Sequence, residues 1–154
     1  MQPKLFHKHL LIRAEVRKPP QEQFDLTAEL RSLVDHIGMR LLSGPHTAWC
    51  PVEGNVGYSG VCIIETSSIT FHSWTESHYP VIQLDVYTCG TLEIGTVLDW
   101  LAQFDPSKID YKFLDREHAF TEILTQHITL NNSVLNTASS NAVSEQTAVG
   151  TRAL

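Results

Sequence analysis

Long apolar runs are missing from this chain, and so is any strongly basic segment. Stretches such as Leu10-Leu-Ile12 fall far short of the roughly 20 residues that cross a bilayer, so no membrane partner is expected. The N-terminus lacks the apolar segment and small-residue cleavage site of a secretory signal. Basic residues number 11 against 17 acidic ones, a net charge of −6, and the densest basic stretch, Arg13 to Lys18, is diluted by Glu15. Nucleic acid is therefore disfavoured as a partner, because neutralising phosphates requires a basic face. The acidic balance suits a small cationic or zwitterionic substrate better. Cysteine is scarce too: Cys50, Cys62 and Cys89 are odd in number and form no CxxC pair. They read as reduced thiols of a cytoplasmic protein, not as a disulfide frame. No helix places two histidines at i, i+4, so His7, His9 and His46 are not expected to hold a metal. Internal repeats are absent.

What is present fits one domain. A chain of 154 residues with 42% hydrophobic content can fill a single core. A first strand is predicted over Lys8 to Val16, stopped by Pro19-Pro20. Leu26, Leu30, Leu33, Val34 and Ile37 recur at helical spacing within Asp25 to Ile37, and Gly38 follows as a stop. A second strand is expected from Met39 to Leu42, interrupted by Gly44-Pro45 and resuming from Thr47 to Cys50. Further strands are read over Gly57 to Ile64, Ser68 to Trp74 and Val81 to Thr88. In the last, Ile82, Leu84 and Val86 alternate with Gln83, Asp85 and Tyr87, the pattern of a half-buried strand. Thr91 to Phe104 reads as a second helix and Ile109 to Leu114 as a closing strand.

This order predicts an α+β two-layer sandwich, a largely antiparallel sheet covered on one face by two helices. The folded unit is expected over residues 1–118, with 119–154 as an extension. Ala119 to Leu130 is expected to form a short terminal helix, and the Asn-, Ser-, Thr- and Ala-rich stretch from about Asn131 to Leu154 to be disordered.

The most informative segment is Glu65-Thr-Ser-Ser-Ile-Thr-Phe-His72-Ser-Trp-Thr-Glu76. His72 follows Ser67 by five residues, and Cys89 ends the next β-rich run. Serine, histidine and cysteine on neighbouring strands are expected to form one compact reactive cluster. Taken singly, each has a plainer reading: a strand-entry serine, a surface histidine, a small buried thiol. Cys62 is read as core.

Together the segments Gly57-Tyr-Ser-Gly-Val-Cys-Ile-Ile-Glu-Thr-Ser-Ser-Ile-Thr-Phe-His-Ser-Trp-Thr-Glu76 and Leu84-Asp-Val-Tyr-Thr-Cys-Gly90 resemble the prokaryotic S-adenosylmethionine decarboxylase proenzymes. That family carries a Ser-Gly-Val segment, a Glu-Ser-His cleavage site, a His-Thr-Trp-Pro-Glu segment and an Asp-Val-Phe-Thr-Cys-Gly segment. The likeness covers roughly residues 5 to 115 and needs no gap from Ser59 through Glu76. It implies that the chain cuts itself between Thr66 and Ser67 and that Ser67 becomes a covalent pyruvoyl cofactor. By position, Ser59 would assist processing and His72 would remove the proton in the β-elimination. Cys89 would return a proton to the decarboxylated carbon, and Glu76 with Trp74 would meet the small-molecule substrate. A pyruvoyl carbonyl takes the substrate amine as a Schiff base and acts as an electron sink. Thiol and imidazole suit proton transfer near neutral pH. The resemblance also implies a homo-oligomer of processed chains working in polyamine biosynthesis.

The chain departs from the family pattern at several points. Thr66 stands where the family has glutamate, Ser68 where it has histidine and Thr75 where it has proline. Two extra residues lie between Glu76 and Cys89. Members that depart from Glu-Ser-His include some that decarboxylate arginine or ornithine, so the same chemistry on a basic amino acid is one alternative. An unprocessed, non-catalytic binding relative is another.

Overall fold

The computed structural model describes residues 7–65 and 67–131. Seven strands and two helices follow one another as β1 (Lys8–Val16), α1 (Gln23–His36), β2 (Leu41–Cys50), β3 (Gly57–Ile64), β4 (Ser67–Trp74), β5 (Val81–Thr88), α2 (Ile94–Leu101), β6 (Pro106–Asp115) and β7 (Thr121–Thr129). A 3-10 turn, Ala102–Phe104, continues α2. The strands form one sheet in the order β2-β3-β4-β5-β1-β6-β7, antiparallel at every pairing. This is the α+β two-layer sandwich that the alternation of elements predicts.

The period-two pattern decides which face is covered. Leu10, Ile12 and Ala14 of β1, Ile69 and Phe71 of β4, and Ile82, Leu84 and Val86 of β5 all point to the helices and are buried. Burying each large side chain of this kind contributes about 1.5–3 kcal/mol. From α1, Leu26, Leu30, Leu33 and Val34 meet them. The helix ends at Gly38, whose φ of +69° lets the Met39 N–H return to the Val34 carbonyl while the Gly38 N–H reaches Asp35. Helix α1 sits so close to β3 that a Cβ at Gly60 would come within 2.4 Å of Leu30 Cδ1. Helix α2 closes the layer with Trp100, which meets Phe71 edge-on at 6.5 Å and packs on Phe104 at 5.2 Å. The Trp100 Nε1–H donates to the Glu29 carbonyl at 3.1 Å and so ties α2 to α1. The other face of the sheet carries no helix among the described residues.

Three expectations need correction. Strand β2 runs through Gly44-Pro45 without a break, absorbing it in register shifts between Leu41 and His46. An edge strand tolerates proline because one of its sides needs no ladder partner. Helix α2 starts at Ile94, not Thr91. The segment expected as a terminal helix is strand β7, paired with β6 along its length. Leu124 and Ile128 pack on the core, and a spacing of four satisfies both the helical and the strand period, so periodicity alone could not separate the two. Beyond Asn131 the expected disordered tail lies outside the described residues. Among the described residues, no helix is long and apolar enough to cross a membrane.

Candidate active site

Two polar pairs stand at opposite ends of β4. At its start, Ser67 pairs with Ile64 across the β3–β4 hairpin. Its Oγ accepts the Cys89 N–H at 3.1 Å and lies 3.8 Å from Cys89 Sγ. Cys89 is brought there by the end of β5, where buried Thr88 accepts the Gly90 N–H at 2.9 Å and fixes the turn. Serine hydroxyl and thiol are thus held side by side, half-buried, at the position where the resemblance puts the reacting serine and the proton-returning cysteine.

Toward the other end, Ser59 and His72 face each other in register on β3 and β4, with Ser59 Oγ 2.8 Å from His72 Nδ1. That bond fixes the ring and leaves Nε2 for a reacting proton. The Trp74 ring lies 6.0 Å from the imidazole. A cleft of about 340 Å³ opens here, lined by Cys50, Val52, Asn55 and Gly57 together with Ser59, His72, Ser73 and Trp74. The Glu76 carboxylate accepts the backbone N–H groups of Gly54 and, at 3.5 Å, Val56, so it anchors the β2–β3 loop that forms the rim.

The expected single cluster of serine, histidine and cysteine therefore does not form within one chain. Five strand residues at 3.3 Å each separate Ser67 from His72 by roughly 16 Å. Side-chain parity also opposes them: Ser67 shares the helix-covered side with Ile69 and Phe71, while His72 lies on the uncovered side. Thr66, the other residue of the expected cleavage site, lies outside the described residues. Cys62 is core, as expected, and burial pushes its thiol up to about 11, far from a reactive thiolate. His46 sits on β2, four strands from His7 and His9 at β1, and hydrogen-bonds Ser43 at 3.0 Å instead. The cleft-lining residues Cys50, Val52 and Asn55 were not singled out from the sequence. Only the pairing of β2 with β3 brings the Gly54-Asn55 loop beside His72.

The S-adenosylmethionine decarboxylase family profile matches residues 21–117, the stretch that contains both pairs. The chain belongs to the S-adenosylmethionine decarboxylase family. Among curated relatives, the S-adenosylmethionine decarboxylase proenzyme of Persephonella marina is 32% identical over 94 residues, 60% of this chain and 66% of that protein. The proenzyme of Picrophilus torridus is 32% identical over 63 residues, covering 40% and 47%. That of Bacillus velezensis is 48% identical over 46 residues, covering 30% and 35%. The chain thus spans between about a third and two thirds of the length of these relatives. A phage SAM lyase solved in complex with S-methyl-5'-thioadenosine aligns over 84% of this chain and 96% of its own. Its identity of 10% and TM-score of 0.41 make that likeness too loose to bear on function.

Proposed function

We propose that this member of the S-adenosylmethionine decarboxylase family is a self-processing, pyruvoyl-dependent carboxy-lyase acting on S-adenosylmethionine in polyamine biosynthesis. The observation that carries the reading is the placement of Ser67 Oγ against the N–H and thiol of Cys89, at the serine the family converts into its cofactor. In processing, Ser67 Oγ adds to the Thr66 carbonyl carbon, the peptide C–N bond breaks, and the freed nitrogen takes the hydroxyl proton, giving an ester and a free amine on Ser67. Loss of the Ser67 α-proton then breaks the Cβ–Oγ bond, releases the Thr66 carboxylate, and after addition of water and loss of ammonia leaves a pyruvoyl group. The donor set fits that group, because the Cys89 N–H that now binds Ser67 Oγ is at hand for an oxygen there. When formed, the pyruvoyl carbonyl supplies an electron sink for loss of carbon dioxide. Cys89 Sγ holds the proton for the carbon left behind, and His72, fixed by Ser59, takes the proton removed in the elimination. Trp74 and Glu76 line or frame the cleft that meets the substrate.

His72 is too far from Ser67 in its own chain to do this, so we place the working site between two copies. A two-fold partner with its strands reversed sets the Ser67 end of each chain against the His72 end of the other, completing two sites at once. His72 lies on the uncovered sheet face, which also presents exposed Val61 and Ile63 and so is open to a second copy. We place the catalytic unit within residues 1–118, with 119–154 as an extension, and the protein in the cytoplasm, in keeping with its free thiols.

The departures at Thr66 and Ser68 favour arginine or ornithine as the second reading of the substrate. Intact-mass measurement of the purified chain beside Ser67→Ala tests the chemistry. A cut after Thr66 yields fragments of 66 and 88 residues, the larger with a ketone-blocked N-terminus, in the wild type alone. A single uncut mass identical in both proteins would remove the decarboxylase reading and leave a binding protein on this fold. Carbon dioxide release from S-adenosylmethionine, arginine and ornithine then assigns the substrate.

A further inference from the structure

The residue before Thr66 is held from outside the hairpin. The Glu65 N–H donates to the Arg40 carbonyl at 2.9 Å, and Arg40 Nη2 donates to Glu65 Oε1 at 3.1 Å. Arg40 stands just before β2, the neighbour of β3, so this double contact crosses between two strands and ends one residue short of the expected cut. On the far side of Thr66, the Cys89 N–H grips Ser67 Oγ. The chain is thus fixed at both flanks of the bond that the proposed self-cleavage breaks.

We infer that Arg40 is a positioning residue for self-cleavage, acting through Glu65, an inference that rests on the pyruvoyl reading above. Attack by Ser67 Oγ on the carbonyl before it requires that carbonyl to lie within near-attack distance, and orientation of this kind is where a rate is gained or lost. Cys89 holds the Ser67 hydroxyl, the hairpin pairs Ile64 with Ser67, and Arg40 adds a hold on Glu65 from the neighbouring β2 side. The ion pair is more than half exposed on both sides, 69% for Arg40 and 57% for Glu65, so it adds little to global stability. Its effect belongs on the cleavage rate. An exposed pair of this strength corresponds to a change in rate of about two- to five-fold.

The test follows full-length chain and its two fragments by gel after arrest of a cell-free translation, in wild type, Arg40→Ala, Arg40→Lys, Glu65→Gln and the swapped pair Arg40→Glu with Glu65→Arg. The inference predicts cleavage about two- to five-fold slower in Arg40→Ala and Glu65→Gln, with recovery in Arg40→Lys and in the swap. Melting temperatures stay together. Salt at roughly 1 M slows the wild type to the Arg40→Ala rate by screening the pair, which a purely structural role would not do. Wild-type cleavage with Arg40→Ala equally fast overturns the inference and leaves the pyruvoyl reading intact. A wild type that never cleaves removes both.

Discussion

The two ends of β4 carry the same kinds of atoms in opposite settings. At the start of the strand, Ser67 meets a thiol and a backbone N–H near the helix-covered side. Toward its end, Ser59 meets an imidazole on the uncovered side, above an open cleft. In the proposed function the first end has the serine to be converted and the thiol to deliver a proton, but no imidazole. The second has the imidazole and no serine to convert. On the proposed function each is half of a site, and a two-fold pair of reversed chains would join the unlike halves with one set of residues.

The largest effect is expected at His72. If its imidazole serves the Ser67 end of a partner, His72→Ala should slow the elimination that forms the pyruvoyl group by about 10²–10⁴-fold, the usual contribution of a positioned acid–base group, and so leave the chain without decarboxylase activity. The Ser67–Cys89 contact should survive, which crystallography of the variant would show. Steady-state rates near wild type would mean that the second end has no chemical part.

Gly57→Ala sharpens the contrast by damaging one end alone. A Cβ there would lie 1.8 Å from the Ser73 carbonyl oxygen, so β3 must move from β4 where Ser59 meets His72. The expected loss of stability is about 1–3 kcal/mol, read from denaturant melts, because backbone cannot yield as a flexible side chain does. The hairpin at Ser67, seven strand positions away, should keep its geometry.

The smallest effect concerns neither end. The Glu29 carboxyl on α1 is pushed up to about 7 from an ordinary 4.5, first by burial and then by the negative charge of Asp25. A folded value above the unfolded one means the folded chain prefers the protonated acid. Stability should therefore be highest below about 4.5 on this account and decline as pH rises toward about 7. Glu29→Gln should flatten that decline in thermal melts without changing the cleavage products.

Much of this was legible in the sequence because the sheet is built from strict alternation. Residues Ile82, Leu84 and Val86 declare both the strand and its buried side, and β1, β3 and β5 have the limits their patterns predict. Strand β7 was misread because Leu124 and Ile128 stand four apart and its exposed residues show no clear alternation. The candidate site residues stand in the order along the chain that the resemblance implies, but that order does not give their distances. Counting along one strand shows that Ser67 and His72 are separated, whereas a motif written in one line makes them neighbours. The Glu76 contact to the β2–β3 loop and the Arg40 contact to Glu65 arise from strand order, which no local pattern encodes.

In the proposed function a working site takes its serine and thiol from one chain and its imidazole from another. The direct measurement is co-expression of Ser67→Ala with His72→Ala, each inactive alone, followed by assay of the mixed assembly. Mixed pairs contain one site with every group intact, so decarboxylase activity and cleavage of the His72→Ala chain should both return. Mixed assemblies as inactive as either parent, with pairing verified by differently tagged chains, would contradict the account.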